Sequence, residues 1–574
     1  MHCWRRTRIL KRFHNLIEAL EAAPTERRFV TSWIDEDEHE DATFGEFRRR
    51  ARVHAKALLD RGIKAGDRVV ILMPQGIAAM TAFAGAVMVG AVPATLAYPN
   101  FKVEPAKYAS GLAGVTANLS AKAVVIDDEF PDELLGHVTL HDGTLLLRAE
   151  ECRNTTYDVE LPPYEARPDN LAFIQHSAGT TGLQKGVALS HRAVLTQIEH
   201  LARALQIDPG SDRIYSWLPL YHDMGLIACF MLPLVCHVPL VMQSPTDWVM
   251  HPDTMLQVIS DYRCTLAWLP NFAFQFVPRR SSSTRWSQFD LSSVRAFINC
   301  SEPVRGSSMD EFRRAYESIG LRPNALQSSY AMAENVFAVS QSDVAQPDGP
   351  PRVWADSLRF RTEHVVVPVS EKTMGAMCFV SSGRLLSNHS VRVVSESGAT
   401  LADGSVGEVL VASDCLFQGY FHRPDLTAEV LRDGWYYTGD LGFQLGGELY
   451  IVGRKKDLLI VGGENLYPQD IEEIVATHSA IHDGRTIAMG LYNPSLGTED
   501  IVVVAEVENE DLLANAAEIE REIRGSIVSG LGVAVRAIML KPPKWVVKST
   551  AGKPARAATR EKLLRDHPEL NADL

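Results

Sequence analysis

The chain has 574 residues, of which 46% are apolar and 22% are charged, so it is too long for a single hydrophobic core. These values are typical of a globular protein built from several folding units. The formal net charge of −14 argues against a nucleic-acid partner, because a phosphate backbone is met by a broad basic surface.

Neither cysteine spacing nor targeting signals point to secretion or to a metal site. The N-terminus is basic but lacks an apolar signal core, and two uncharged runs (76–101 and 225–242) are broken by prolines, which favours buried core over membrane spans. We therefore expect a cytoplasmic protein with no integral membrane segment, no structural zinc and free buried thiols. The eight cysteines are Cys3, Cys152, Cys229, Cys236, Cys264, Cys300, Cys378 and Cys415.

The first third of the chain alternates helical and strand patterns. An amphipathic helix is predicted over 44–62, and apolar strands and helices then alternate over 66–73, 77–90, 91–96, 105–119, 123–126 and 171–175. Such alternation predicts parallel sheets with helices on both faces and ligands at the carboxyl ends of the strands.

The pattern changes towards the C-terminus. A helix over 191–205 and a strand over 213–218 continue the βα alternation, whereas 391–411 shows short alternating segments separated by glycine turns. A compact unit follows, with helices over 468–478 and 518–528 and strands over 486–490, 501–507 and 533–539. We predict an α/β fold with a large N-terminal domain (1–455) of parallel-sheet βα subdomains plus a β-rich subdomain, and a small mobile α+β domain (456–574).

The stretch from Gln175 to His191 carries the first functional signal. Glycines let the backbone approach an anion, hydroxyls donate to it and a lysine balances its charge, so a phosphate ligand is the first hypothesis. It is not the Gly-Lys-Ser/Thr loop of kinases and GTPases, and a polar surface turn is the alternative. The candidate phosphate-binding residues are Ser177, Gly179, Thr180, Thr181, Gly182 and Lys185.

The order of residues in this loop, with Ser190 and His191 after it, resembles the ATP-phosphate loop of the adenylate-forming enzymes. That superfamily includes acyl-CoA synthetases, fatty acyl-AMP ligases and peptide-synthetase adenylation domains. Four further segments match it in the required order, over 328–334, 437–440, 453–457 and 549–553. The resemblance covers roughly residues 30–565 and implies the cofactors ATP and Mg²⁺.

The resemblance assigns a role to each matching residue, although each has an ordinary structural alternative such as a helix pair, a turn or a solvated charge. An aromatic face suits adenine and a single carboxylate suits magnesium. By the match, Tyr330, flanked by Ser329 and Ala331, stacks on adenine, and Glu334 holds Mg²⁺. Ser301 and Glu302 bind the nucleotide, and Asp440 and Arg454 bind the ribose or phosphate. Lys456 is the hinge, and Lys553 is the mobile catalytic lysine.

Three segments, over 217–227, 270–274 and 290–305, resemble the fatty acyl-AMP ligases in particular. By this match His222 is a further catalytic candidate, and Trp217, Asn271 and Phe272 face the acyl or pantetheine group. Surplus residues around 355–379 resemble the insertion that sets the resting place of the small domain in these ligases and disfavours CoA.

The sequence does not decide which thiol accepts the acyl group. Residues 461–472 combine a Gly-Gly-Glu-Asn opening similar to CoA ligases with an ending similar to acyl-AMP ligases, and Gly462 and Gly463 would let a pantetheine arm pass. We expect ATP-dependent activation of a fatty or other large apolar carboxylic acid to acyl-AMP, then transfer to the phosphopantetheine thiol of an acyl carrier protein or of CoA. The alternatives are an acyl-CoA synthetase proper, a luciferase-type oxygenase and a non-catalytic nucleotide-binding relative.

Overall fold

The structure is a computed structural model. It describes residues 13–99, 105–139, 144–149, 159–176, 185–461, 464–493, 498–548 and 553–572. Of the predicted site residues, Ser177, Gly179, Thr180, Thr181, Gly182, Gly462 and Gly463 lie outside these ranges.

The strands of the described part are β1 (Arg28–Trp33), β2 (His39–Thr43), β3 (Arg68–Leu72), β4 (Val92–Thr95), β5 (Ala123–Ile126), β6 (Leu145–Arg148), β7 (Leu171–His176), β8 (Gly186–Ser190), β9 (Ile214–Ser216), β10 (Leu240–Gln243), β11 (Leu266–Leu269), β12 (Ala296–Asn299), β13 (Leu326–Ala331), β14 (Ala338–Gln341), β15 (Arg352–Asp356), β16 (Ala376–Val380), β17 (Arg384–Leu385), β18 (His389–Val394), β19 (Gly407–Ser413), β20 (Leu431–Arg432), β21 (Trp435–Leu445), β22 (Glu448–Arg454), β23 (Leu459–Val461), β24 (Glu464–Leu466), β25 (Ile481–Asn493), β26 (Thr498–Val507) and β27 (Ala537–Lys541).

The α-helices of the described part are α1 (Leu16–Glu21), α2 (Phe44–Asp60), α3 (Ile77–Met88), α4 (Pro105–Leu119), α5 (Asp132–Leu135), α6 (His191–Ala204), α7 (Leu232–Cys236), α8 (Pro245–Met250), α9 (Thr254–Tyr262), α10 (Ala273–Arg280), α11 (Gly306–Tyr316), α12 (Ser357–Glu363), α13 (Pro424–Val430), α14 (Pro468–Ala476), α15 (Ala516–Leu531), α16 (Arg556–Asp566) and α17 (Glu569–Ala572). A π-helix over Met224–Met231 precedes α7, and short 3₁₀ turns over Ala333–Asn335 and Lys455–Asp457 follow β13 and β22.

Parallel sheets form the centre of the large part of the molecule. A nine-stranded sheet runs β17-β14-β13-β12-β11-β9-β10-β1-β2, parallel from β13 to β1 and antiparallel at both edges. A second sheet, β4-β3-β5-β6, is parallel throughout. The predicted α/β class is confirmed, and the helix over 105–119 and the strand over 123–126 have the predicted bounds.

One expectation about the phosphate loop is wrong. The strand before the loop, β7, pairs antiparallel with β8, the strand that follows the loop, so the loop joins a hairpin rather than a parallel strand and a helix. A strand that is covered on both faces has the same apolar sequence pattern in a parallel and in an antiparallel sheet, because burial and not strand direction makes it uniformly apolar. The segment from Gln418 to Phe421 runs beside β8, joined to it by backbone hydrogen bonds.

The β-rich region predicted around 391–411 belongs to an antiparallel sheet, β18-β19-β21-β20, with β22 added beside β21. The C-terminal region contains the sheet β25-β26-β27 with α14 and α15, as expected for a small α+β unit. Its strands and helices bury an apolar cluster that includes Val503 and Ile523. The boundary near residue 455 stays a prediction; below, residues 456–574 are called the small lobe and the preceding residues the large lobe.

Candidate active site

A cleft of about 1110 Å³ lies between the large lobe and the small lobe. It is bounded by the ends of β12 and β13, by β22 and by the segment that precedes α16. Eleven of the predicted site residues line it: Asn271, Phe272, Ser301, Glu302, Ser329, Tyr330, Ala331, Asp440, Arg454, Lys456 and Lys553.

The predicted nucleotide residues Tyr330, Asp440 and Arg454 are in direct contact. Tyr330 is 8% exposed, and its hydroxyl donates to Asp440 Oδ2 at 2.6 Å. Arg454 Nε lies 3.4 Å from Asp440 Oδ1, because these two residues pair across β21 and β22. Burial and the Asp440 charge raise the pKa of Tyr330 well above its ordinary value, so the phenol stays neutral and keeps its donor.

Ser329 and Ala331, the predicted residues on either side of Tyr330 in the chain, also lie at the cleft. The hydroxyl of Ser329 donates to the Ser340 carbonyl at 2.8 Å, across β13 and β14. Ala331 pairs with Ala338 and is half-buried at the cleft. Both residues shape the wall of the cleft on either side of the Tyr330 ring.

Glu334 and Lys185, which were predicted to bind magnesium and phosphate, both contact Tyr420. The Glu334 side chain accepts a hydrogen bond from the Tyr420 hydroxyl at 2.7 Å. Lys185 Nζ lies 4.6 Å from the centroid of the same Tyr420 ring. Tyr420 reaches both because the segment that contains it runs beside β8, the strand that directly follows Lys185.

The donors at Glu334 fit a magnesium ion that is held mainly by nucleotide phosphates. In the part of the chain that the structure describes, no three or more His, Cys, Asp or Glu side chains gather as a metal cage. Mg²⁺ commonly takes one or two carboxylates and keeps its other positions for water and phosphate oxygens. A single carboxylate beside a lysine is therefore an adequate protein contribution.

Lys553 extends from the small lobe into the cleft. Its Nζ donates to the Ser301 carbonyl at 2.6 Å. Ser301 has φ +70°, a left-handed backbone conformation that is costly for a residue with a side chain, and such strain is often found at functional sites. The adjoining residues hold the lysine in place, since Lys548 bridges to Pro554 and the Ala555 amide donates to the Val547 carbonyl.

His222 does not line the cleft, but it lies on a motif that reaches towards Lys553. His222 Nδ1 and Asp223 Oδ1 are 2.7 Å apart, and both residues precede the π-helix. Burial acts to raise the pKa of the Asp223 carboxyl, but His222, the Met224 amide and Lys553 outweigh it, so the pKa falls below its ordinary value. The tight turn at this point requires Gly225, because a Cβ there would lie 2.2 Å from the Pro219 carbonyl oxygen.

Aromatic side chains pack around Trp217 and Phe272, two of the residues predicted for the acyl or pantetheine group. Trp217 and Trp248 stack at 3.6 Å with their planes 4° apart, and Phe272 lies 6.2 Å from Trp217. The Phe272 amide donates to Glu302 Oε2 at 3.0 Å, which ties this wall to the loop that holds Lys553. Phe276, on the next turn of α10, packs 5.4 Å from Trp248.

Asn271, predicted for the acyl or pantetheine group, uses its side-chain amide in hydrogen bonds with the protein itself. Its Oδ1 accepts from Asn299 Nδ2 at 2.9 Å and from the Arg305 amide at 3.0 Å. Its Nδ2 donates to Ser308 Oγ at 3.1 Å. These bonds fix the loop between β12 and α11 against α10.

The predicted insertion folds as a hairpin, β15 and β16, whose helix α12 contacts the small lobe. Arg361 NH1 donates to the Leu531 carbonyl at 2.7 Å, and Phe360 packs 5.6 Å from the ring of Tyr467. His364 and Asn465 approach within hydrogen-bond distance. The inserted segment therefore provides one of the surfaces on which the small lobe rests.

Sequence reasoning missed Tyr420, Trp248 and Asp223. Asp223 is adjacent to the predicted His222, and a carboxylate next to a catalytic candidate is the sequence signal that could have identified it. Tyr420 and Trp248 lie far in sequence from the residues they contact, and a single aromatic residue in a loop or a short helix carries no local signal of its position.

The parallel sheets, the antiparallel subdomain and the small lobe that carries a lysine into the cleft define an adenylate-forming fold. The sequence profile of the AMP-binding enzyme family matches residues 17–421. The chain belongs to this family.

Several relatives match over most of this chain. A 4-hydroxyphenylalkanoate adenylyltransferase from Mycobacterium marinum is 29% identical over 98% of this chain and 93% of the relative. The long-chain-fatty-acid–AMP ligase FadD28 from Mycobacterium tuberculosis is 29% identical over 88% of this chain and 90% of the relative. Both names describe enzymes that join a carboxylic acid to AMP.

Solved structures agree with this fold. One from a study of fatty acyl-adenylate ligases of E. coli and L. pneumophila has a TM-score of 0.89 and 28% identity, covering 98% of this chain and 99% of its own. The L. pneumophila fatty acyl-adenylate ligase in complex with acyl adenylate and pyrophosphate has a TM-score of 0.73 and 25% identity, covering 97% of both chains. Among the described residues, no helix is long and apolar enough to span a bilayer.

Proposed function

We propose that this enzyme activates a large apolar carboxylic acid, in the first place a long-chain fatty acid, as its acyl-AMP. The acyl group is then transferred to the phosphopantetheine thiol of a carrier protein. The observation that carries the proposal is the approach of Lys553 to the Ser301 carbonyl, in the same cleft that holds the Tyr330–Asp440 pair.

The first half-reaction is the attack of the carboxylate on the α-phosphorus of ATP, with pyrophosphate as the leaving group. Two anions have to meet, so the barrier is largely one of charge and position. Lys553 is placed to neutralise the incoming carboxylate and the α-phosphate, and Lys185 faces the departing phosphates. Tyr330 stacks on the adenine, while Asp440 accepts from the ribose hydroxyls.

Mg²⁺ is part of this proposal. When bound, the ion would neutralise the charge that develops on the β- and γ-phosphate oxygens. Glu334 would hold it. The hydrogen bond from Tyr420, whose ring also contacts Lys185, would hold this carboxylate in position.

The second half-reaction requires Lys553 to leave. We assign the hinge to Lys456, in the 3₁₀ turn Lys455–Asp457 at the proposed domain boundary. Rotation there would withdraw Lys553 and present the Gly462–Gly463 loop to a thiol, so that the two chemical steps use two conformations. Contacts between α12 and the small lobe hold the adenylation arrangement. We take a carrier protein rather than free CoA as the acceptor because the segment that contains α12 resembles the insertion of the fatty acyl-AMP ligases.

A second class of acid, an alkanoate that carries a hydroxyphenyl or other oxygen-bearing group, is favoured by one feature of the aromatic wall. The buried indole N–H groups of Trp217 and Trp248 have no hydrogen-bond acceptor among the described residues. A buried donor without a partner costs about 1–3 kcal/mol, and an oxygen on the acyl group would relieve this cost. The M. marinum relative is named for such an acid.

The decisive experiment combines ATP, Mg²⁺ and a panel of plain and hydroxyphenyl-bearing acids, with pyrophosphate release and mass spectrometry of acyl-AMP as readouts. Free CoA and a holo carrier protein are offered in parallel. Acyl-AMP with carrier loading is the expected result. Product formed only with CoA would identify an acyl-CoA synthetase, oxygen-dependent product an oxygenase, and no pyrophosphate with any acid a non-catalytic relative.

A further inference from the structure

One side of the large lobe holds the small lobe through ion pairs that all have the same polarity. Arg305 NH1 lies 3.1 Å from Asp470 and 3.2 Å from Glu473, and Arg280 lies 3.3 Å from Glu508. Arg279 pairs with Asp483. In each of these pairs the large lobe supplies the arginine and the small lobe supplies the carboxylate.

This set of arginines forms a basic surface on an acidic protein. Arg279 and Arg280 end α10, Arg305 precedes α11, and Arg313 and Arg314 lie in the last turn of α11. We call these five residues the arginine face. The large lobe offsets part of the charge itself, since Arg279 contacts Glu311 at 2.7 Å and Arg313 lies 3.4 Å from Asp310. The remaining charge is balanced by the small lobe, in a chain whose formal net charge is −14.

The arginine face is next to the reacting groups. Arg279, Arg305 and Arg314 line the same cleft as Lys553. A partner bound there could extend a long flexible thiol arm to an acyl-AMP beside Ser301. The positive charge of the arginine face favours an acidic partner, and its position beside the reacting groups favours a partner that carries a thiol.

The rotation in the proposed function would separate these pairs. Once the small lobe turns about Lys456, its four carboxylates move away. Arg279 and Arg313 keep Glu311 and Asp310, whereas Arg280 and Arg305 are separated from the carboxylates of the small lobe. Positive charge left uncompensated on one face attracts and orients an acidic protein, mainly by accelerating its association.

We propose that the arginine face is the docking surface for an acidic phosphopantetheine carrier protein, and that Asp470, Glu473, Asp483 and Glu508 of the small lobe occupy it during adenylation. The inference rests on the proposed function, in which the small lobe moves after acyl-AMP forms. Carrier docking and the adenylation arrangement then exclude each other, so the carrier binds when its substrate is ready.

The test uses the full enzyme with supplied acyl-AMP and an acidic holo acyl carrier protein, and compares two variants of opposite design. Arg279→Gln with Arg280→Gln removes charge from the face; we expect the KM for the carrier to rise about five- to tenfold and to depend less on salt. Asp483→Asn with Glu508→Gln removes the competing carboxylates, and the KM for the carrier should fall about two- to threefold.

Three controls separate docking from chemistry and folding. Free pantetheine as the acceptor should react at rates within about twofold of each other in all variants, because it needs no docking surface. Pyrophosphate release from ATP and acid reports the proposed function independently. Arg263→Gln removes an exposed arginine remote from this face, paired at 3.7 Å with Asp290 of its own lobe, and should leave the KM for the carrier unchanged.

Opposite shifts in the two variants would support docking. Shifts in the same direction, or an unchanged KM for the carrier with altered pyrophosphate release, would show that the pairs serve only to hold the lobes together. Adenylation by the wild-type enzyme without any transfer to the carrier would also overturn the docking proposal, while leaving the first half-reaction intact.

Discussion

A lysine that follows a glycine near the end of a chain is usually solvated, and Lys553 differs because of what surrounds it. Its Nζ donates to the carbonyl of Ser301, a residue with a left-handed backbone, and it helps to lower the pKa of the partly buried Asp223. On the opposite wall, the Tyr330 hydroxyl orients Asp440 before any nucleotide binds. Single side chains at this site are thus positioned by partners that lie in other elements.

Removing the amine of Lys553 should separate the two half-reactions. We expect Lys553→Ala to lower the rate of acyl-AMP formation by about 10²- to 10³-fold, the scale for losing one charge-stabilising group in a closed site. Thioester formation from supplied acyl-AMP should persist. Pyrophosphate release and carrier loading measure the two steps.

The matched control is Lys562→Ala, which removes a small-lobe lysine that donates to the Trp545 carbonyl at 2.8 Å, outside the cleft. Equal loss of both steps in Lys553→Ala would contradict the role proposed for this lysine.

The hydroxyl and the ring of Tyr330 should contribute separately to nucleotide binding. Tyr330→Ala removes a stacking surface worth about 1–3 kcal/mol, so the KM for ATP should rise about 5- to 150-fold. Tyr330→Phe keeps the ring and loses only the bond to Asp440, and a smaller rise is expected. Initial rates over a range of ATP concentrations provide the measurement, with the exposed Tyr492→Phe as the control.

At the scale of elements, irregular segments bring the functional groups together. The π-helix over Met224–Met231 starts directly after His222 and Asp223, and π-helices are frequent at functional sites. The β7–β8 hairpin brings Lys185 beside the strand-like segment that carries Tyr420. Helix α8 has six residues, and its buried Trp248 completes the aromatic wall.

Trp248 should determine both stability and acid selection. Trp248→Ala removes a fully buried side chain, so the free energy of unfolding should fall by about 3–5 kcal/mol. Because the space behind Trp217 opens, longer or bulkier acids should gain relative to shorter ones. Thermal unfolding and competition between acids of different size test this expectation.

Trp286→Ala provides the comparison for Trp248, since this residue packs against Tyr316 away from Trp217. If both variants lost stability and neither changed the preference for acids, the aromatic wall would not be the end of the acyl pocket.

At the scale of the whole molecule, the proposed function makes the position of the small lobe decide which step the enzyme performs. The arrangement described here has Lys553 in the cleft and α12 against the small lobe, which suits adenylation. The same inserted segment therefore influences how readily the lobe moves, although it lies outside the cleft.

Two arginines on α12 allow this influence to be tested. Arg361→Ala loses the bond to the Leu531 carbonyl and should lower adenylation about two- to fivefold, with a relative gain in transfer to free CoA. Arg359 is on the same helix and, among the described residues, its guanidinium pairs with Glu363 of that helix, so Arg359→Ala should leave both steps unchanged. Rates of pyrophosphate release and of acyl-CoA formation distinguish the two variants.

The sequence by itself determined the βα architecture, the β-rich and α+β units that follow, and the residues of five short motifs. Periodicity and motif chemistry are local, so a few neighbouring residues are enough to express them. Only the tertiary structure decided that Tyr330 meets Asp440, that Tyr420 joins Glu334 to Lys185, that the loop closes a hairpin, and that arginines of one lobe face carboxylates of the other. Apart from the hairpin, these contacts join residues dozens to hundreds of positions apart. Their existence depends on how whole sheets and lobes pack, a property that no single segment contains.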